Sequence, residues 1–354
     1  MSKFVIRASF LSVVGLTGVA LAPAKPALAV DQLTIVSTGG ALQQAQRKAL
    51  FEPFSNTSGV RITEDESDGG AAKIRAMVDT KTVSWDVVDS GGGAAIQMCN
   101  EGVLEPIDWK KLGVDRSKFT DPDEMDCGVP SQSAAAVIAY DKEKLPNGPQ
   151  AIADLFDLKK FPGKRGLYKS AAYNLEWALI ADGVPVKDVY KVLGTPEGVD
   201  RAFNKLDTIK RNVIWWTSGA QAPQLLADGQ VVMTVAWNGR IYDANKNSGK
   251  HFQIIWDAQQ PLRDYWVIPK GTRHLDEAYK FIAFAASAQA QADLTRYIPY
   301  APGNKDAMAL VDSAILPDLP TAPQNLANPM MSGATFWAEK DHELRQRFTS
   351  WLTE

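Results

Sequence analysis

Apolar and polar positions along the chain follow two periods. Residues 33–37 (LTIVS) form a short apolar run that stops at Thr38-Gly39-Gly40. Over 41–55 the apolar positions Leu42, Ala45, Ala49, Leu50 and Phe54 fall on one side of a helix, and Gly59 closes it. Residues 60–63 read as a strand, 71–79 as a helix behind Gly69-Gly70, 85–88 as a strand, and 94–101 as a helix behind Gly91-Gly92-Gly93. Strand, glycine turn and helix in this order predict parallel βα units.

The second half continues the pattern less regularly. Residues 135–140 read as a strand leaving the first domain. Residues 231–237 (VVMTVAW) read as a fully buried strand, with further strands over 252–256 and 266–269. Helices are predicted over 151–156, 175–182, 186–193, 198–206, 275–286, 288–295 and 336–352. No fixed-period repeat or low-complexity linker interrupts the chain. The pattern implies two interleaved α/β lobes.

The first residues read as an address. Lys3 and Arg7 precede an apolar run over 8–22, and Ala27-Leu28-Ala29 has the small-x-small form of a cleavage point. The run is shorter than the ~20 residues of a membrane span. An N-terminal anchor helix is the alternative reading. Cleavage after residue 29 removes three basic residues and no acid, so the formal charge moves from −3 to −6. Export permits a disulfide. Cys99 and Cys127 are the two cysteines, either bridged or two buried thiols.

Composition narrows the function. At 45% hydrophobic and 22% charged, the 354 residues suit a folded soluble protein rather than a disordered one. The negative charge leaves no basic footprint for nucleic acid. Three histidines and two cysteines argue against a closed zinc site, which takes about four such ligands. His251, His274 and His342 stand in polar stretches, away from any recognisable Ser or Cys nucleophile. No enzyme signature, cofactor motif or acidic metal loop is present. The glycines 91–93 lack the Lys-Ser/Thr of a phosphate loop.

Ligands of open α/β sheets sit beyond the carboxyl ends of strands. The segments at such positions are 37–40, 89–93, 215–218, 237–240 and 263–266. Each glycine cluster is either plain turn chemistry or a place where a ligand approaches the main chain. Of ten tryptophans, Trp216 and Trp237 flank loops, where an indole face can meet an ammonium or simply join the core.

The order of several segments resembles the periplasmic solute-binding proteins of ABC importers, in the spermidine/putrescine-binding branch. These segments are LTIVSTGG, FEPFSNTSGV, SWDVVDSGG, EGVLEPID, AVIAYDKEKL, LLADGQVVMTVAWNGR and YWVIPKG. The resemblance implies a type II bilobal α/β fold, each lobe a mixed sheet flanked by helices, joined by crossover hinge strands. Lobe one would take 30–137 plus 258–300 and lobe two 138–257, with 301–354 packing across both. The protein would act as a monomer in the periplasm, without cofactor or metal. It would meet the membrane only through an ABC permease.

The resemblance also implies a site. Trp237 stands at the aromatic position of the Trp-Asn-Gly motif, Asp264 at the acidic position before the Ile-Pro strand, and Tyr300 at another aromatic position. Thr38, Gly39 and Gly40 replace an aromatic and an acid of polyamine binders, and Ser170 and Tyr173 replace two acids. One amine anchor is thus expected, with Ser90, Gly91, Trp216 and Thr217 as further lining. Arg240 and Arg263 are either carboxylate clamps or solvated surface groups. One acid and one arginine in a cleft suit a zwitterion such as γ-aminobutyrate, so the expected ligand is a polyamine or an ω-amino acid. The alternatives are a ferric ion or oxyanion on the same fold, or an exported bilobal enzyme.

Overall fold

A computed structural model describes residues 32–67, 70–121 and 124–354; the leader read over 1–29 lies outside the described residues. Nine strands form one mixed sheet among them: β1 (Gln32–Ser37), β2 (Arg61–Glu66), β3 (Val87–Gly91), β4 (Gly128–Asp141), β5 (Arg165–Tyr168), β6 (Val213–Trp216), β7 (Met233–Trp237), β8 (Phe252–Val267) and β9 (Ala301–Pro302). Their order is β2-β1-β3-β8-β4-β7-β5-β6, with β9 on β4. β1 is parallel to β2 and β3, and β5 is parallel to β6 and β7. These are the βα units that the glycine turns predict.

β4 and β8 are the long members and pair antiparallel along most of their length. β3 joins one end of β8, and β7 joins the opposite end of β4. Residues 252–256 and 266–269 are therefore not separate strands. The apolar pattern breaks between them because this stretch carries Gln259, Gln260, Arg263 and Asp264, which serve a polar region. Across from it, β4 carries Ser131, Gln132 and Ser133. Register shifts fall between Pro130 and Ser133 and between Ala136 and Ile138. Ala258, buried in β8, holds a left-handed φ of 49°. Bulges and positive φ bend strands locally. The short strands β5 and β6 escape the pattern because four residues are too few to display a period.

Hydrophobic cores lie on both sides of this polar stretch. One spans 136–258 and includes Trp177, Leu179, Met233 and Val235, joined by Leu344, Phe348 and Trp351. Two others combine the first part of the chain with residues from 265 onward, around Leu33, Phe54 and Phe281 and around Val36, Trp85 and Tyr265. The C-terminal helix Ala334–Thr353 touches both sides: Phe348 and Trp351 enter the former core, while Ala334 and Ala338 pack on the latter. Cys99, in the helix Gly92–Asn100, is bonded to Cys127 just before β4, so the open choice is settled as a disulfide.

Candidate functional site

A cavity of ≈ 330 Å³ opens where the strand ends and the glycine turns converge. Its walls include Thr38, Gly91, Ser170, Tyr173, Trp237, Arg240, Arg263, Asp264 and Tyr300. The local sequence explains how these groups meet. Trp237 ends β7, and Asn238, Gly239 and Arg240 begin the next helix, Asn238–Ser248. The Asn238 side chain accepts from the Ala135 amide at 3.0 Å and donates to the Pro299 carbonyl at 2.8 Å. This ties the crossover strand to the segment that carries Tyr300. A Cβ on Gly239 would fall 2.4 Å from Ile298 and 2.5 Å from Tyr300, so glycine permits their approach. Trp237 and Arg240 then share the cavity with Tyr300.

Arg240 is buried, and its Nη2 donates to the Gly39 carbonyl at 2.8 Å. Its Nε and Nη1 are buried without a partner. A Cβ on Gly40 would lie 2.4 Å from Nη1, and Gly40 holds φ 58°, so only glycine serves at that turn. Gly40 thus makes room for the guanidinium and Gly39 supplies it a carbonyl, while a Cβ on Gly39 would meet Glu66 instead; neither glycine lines the cavity itself. Arg263 differs. It is paired with Asp121 at 2.8 Å and Glu124 at 3.7 Å. Of the two arginines, Arg240 holds unspent donors beside the cavity.

The expected single acid has a companion. Asp264 on β8 faces Gly91 of β3 in register, and its Oδ1 lies 3.8 Å from where a Gly91 Cβ would sit. Asp89, two residues before Gly91, is buried and accepts from Gln46 at 2.6 Å, Gln132 at 2.8 Å and Ser131 at 3.1 Å. The same Gln132 amide donates to Asp264 at 3.1 Å. Burial pushes Asp89 up to about 6, against three hydrogen bonds that hold it down. Burial, followed by the Asp89 charge, pushes Asp264 well above the ordinary carboxylate range. A positive group placed between them would relieve both.

Aromatic rings form the adjoining wall. Trp237 meets Tyr168 at 5.5 Å and Tyr173 at 5.3 Å, both edge-on. Tyr173 holds a left-handed φ of 72°, a conformation that costs about 1–3 kcal/mol and collects at ligand sites. Its carbonyl accepts from Gln260 at 2.9 Å. Trp216 does not line the cavity; it is buried behind the wall, against Tyr168 at 4.8 Å and Trp237 at 5.3 Å. Thr217 is exposed and its amide donates to Gln221. Ser90 is buried and also absent from the lining.

Sequence reading missed Asp89, Gln132, Tyr168, Tyr190 and Trp337. Asp89 had a signal: it follows an apolar strand and opens the ligand segment 89–93, two residues before three glycines. Trp337 and Tyr190 had none, because the helix that carries Trp337 reaches the cavity only through tertiary packing. Among the described residues no group of three or more His, Cys, Asp or Glu converges as a metal site, and no helix is long and apolar enough to cross a membrane.

Residues 49–324 match the family model for bacterial extracellular solute-binding proteins. The chain belongs to this family. It is 44% identical over 97% of its length to the γ-aminobutyric acid-binding protein of Pseudomonas aeruginosa, covering 96% of that protein. It is 23% identical to the putrescine-binding periplasmic protein of Escherichia coli, over 74% of this chain and 76% of that one. Among solved structures, a GABA receptor aligns at TM-score 0.80 and 38% identity, over 91% of this chain and 98% of that one. The agropinic acid complex of a binding protein from A. tumefaciens aligns at TM-score 0.83 and 34% identity, over 92% and 100%. The cores on either side of the polar stretch and the paired crossover strands are thus the two-lobed fold of periplasmic binding proteins that the segment order implies. This solute-binding protein presents a buried carboxylate, a half-buried one, an aromatic wall and a guanidinium with free donors to one cavity.

Proposed function

We propose that the protein captures a small amine-bearing solute, an ω-amino acid such as 4-aminobutyrate, and delivers it to an ABC permease. The observation that carries this reading is Arg240, whose Nε and Nη1 are buried without partners in the cavity that Asp264 also lines. A buried donor left unmade costs about 1–3 kcal/mol, so a ligand carboxylate is the natural occupant. Asp264 and Asp89 take the ammonium, and Trp237, Tyr168 and Tyr173 enclose the methylene chain. The resemblance to the γ-aminobutyric acid-binding protein supports the same ligand class.

Magnitudes agree. A solute of about seven heavy atoms has a ceiling near 10 kcal/mol at 1.5 kcal/mol per atom. Micromolar binding needs about 8 kcal/mol. Two charge-assisted contacts of about 1.5–3 kcal/mol each, with aromatic enclosure, approach that value. In this reading the lobes take 30–137 with 258–300 and 138–257, with 301–354 packing across. They close about the polar stretch of β4 and β8 and exclude water from the charge pairs. The protein does no chemistry on the solute, works as a monomer, and is exported to the periplasm by the leader over 1–29.

A diamine is the second reading, favoured by the second carboxylate, Asp89. Calorimetry with 4-aminobutyrate, putrescine and spermidine tests the proposal. Tightest binding of 4-aminobutyrate is expected. Tight diamine binding without amino acid binding would favour the second reading, and failure of every amine would end both.

A further inference from the structure

Glu176 is fully buried in the helix Asn174–Ala181 and does not line the cavity, so no solute explains it. Its Oε1 accepts from the indole N–H of Trp337 at 2.6 Å and from the Tyr190 hydroxyl at 3.3 Å, while Oε2 has no partner. A buried carboxylate with an unmatched oxygen is expensive to keep, and a structure that retains one calls for an explanation. The two groups it holds come from separate elements, the C-terminal helix and the helix Val189–Leu193, and both line the cavity.

Their place along the cavity follows from the glycine turn. A Cβ on Gly93 would sit 3.7 Å from the Trp337 Cβ, and one on Gly91 would sit 3.8 Å from Asp264 Oδ1. Trp337 therefore stands beside the turn that flanks the acid. Neither ring can retreat easily. Gly333 presses on Tyr190 so closely that a Cβ there would fall 2.1 Å from the hydroxyl. The C-terminal helix is rooted farther along by Trp351 on Asp207 at 2.7 Å and Arg347 on Asp200 at 2.6 Å.

We propose that Trp337 is a specificity-determining wall at the amine end of the cavity, with Glu176 as its positioning residue, and that together they admit a primary ammonium and reject amines carrying a second alkyl arm on nitrogen. This rests on the amine reading above. An arm on nitrogen would point past Asp264 into the fixed indole and phenol. Glu176 acts through Trp337 and Tyr190, joining two elements into one rigid face.

The test is calorimetry of the full mature chain with 4-aminobutyrate, its N-methyl and its N-butyl derivatives. Wild type is expected to bind the N-butyl derivative at least 10-fold more weakly than the parent. Trp337→Ala should narrow that ratio to under threefold. Trp337→Phe, which keeps an aromatic core side chain, should narrow it at least threefold and serves alone if the alanine variant does not fold. Glu176→Ala should follow Trp337→Ala, whereas Glu176→Gln, which keeps an acceptor for the indole, should retain the wild-type ratio. A ratio unchanged in the tryptophan variants, or a wild type that binds both equally, would overturn the wall and leave the amine reading standing. A wild type that binds none of the three would overturn both.

Discussion

Asp89 and Asp264 are joined through one group: the side-chain amide of Gln132 donates to both carboxylates, at 2.8 Å and 3.1 Å. Burial raises both acids, Asp89 to about 6. An arriving ammonium favours their charged forms and lowers them again, so it displaces protons that the empty site holds. Binding near pH 6 is expected to release protons, seen as a calorimetric enthalpy that varies with the ionisation enthalpy of the buffer. Affinity should rise with pH through the region around 6. An enthalpy independent of buffer would contradict the paired acids.

The two ends of the cavity should separate by substitution. Asp264→Asn removes the charge opposite the ammonium and is expected to weaken every amine by 10-fold or more. Arg240→Met keeps apolar bulk but removes the carboxylate clamp. At about 1.5–3 kcal/mol for a charge-assisted bond, it should weaken an ω-amino acid by roughly 10- to 100-fold. Putrescine, which has no carboxylate, should bind Arg240→Met as well as or better than wild type. Titrations of both variants with both solutes check the crossover.

Glu176 should contribute to how stability depends on pH. Burial raises it from the ordinary 4.5 to about 7. Below about 4.5 the folded and unfolded chains both carry the proton. Between there and about 7 only the folded chain keeps it, so stability falls as pH rises through this window. The full change corresponds to roughly 3 kcal/mol. Glu176→Gln cannot ionise and should flatten this part of the profile. Denaturant unfolding of both proteins at pH 5 and pH 8 measures it: wild type should lose more stability than the variant over that interval.

Reduction of the Cys99–Cys127 bond should loosen the helix whose first residues, Gly92 and Gly93, line the cavity. The bridge spans a sequence separation of 28, for which chain entropy gives roughly 3–4 kcal/mol. A double Cys→Ser variant should lose about that much stability in denaturant melts. A change within about 1 kcal/mol would show that the closed loop is already constrained in the unfolded chain.

What the sequence revealed, and what it hid, follows from how local each signal is. The βα units were legible because Leu42, Ala45, Ala49 and Phe54 repeat at helical spacing and glycines punctuate the strands. The segment 237–240 was legible as a ligand segment because it follows a buried strand, but the tasks of Asn238 and Gly239 were not, since they reach Ala135, Pro299 and Tyr300 far along the chain. The continuity of β8 was hidden because a crossover strand gives up its apolar pattern where Gln260 and Asp264 meet the cavity. The position of Asp89 in the 89–93 segment was legible, but its role as a second acid was not, because only tertiary packing brings Gln46, Ser131 and Gln132 onto it. Trp216 and Trp237 look alike in sequence, yet packing makes one the backing and the other the wall.

The most direct test is a crystal structure of the protein with 4-aminobutyrate bound. The solute's carboxylate oxygens are expected within hydrogen-bond reach, about 2.7–3.2 Å, of Arg240 Nε and Nη1, and its nitrogen within the same reach of Asp264. A solute bound elsewhere, or one whose nitrogen lies away from Asp264 while Arg240 stays unengaged, would contradict the account.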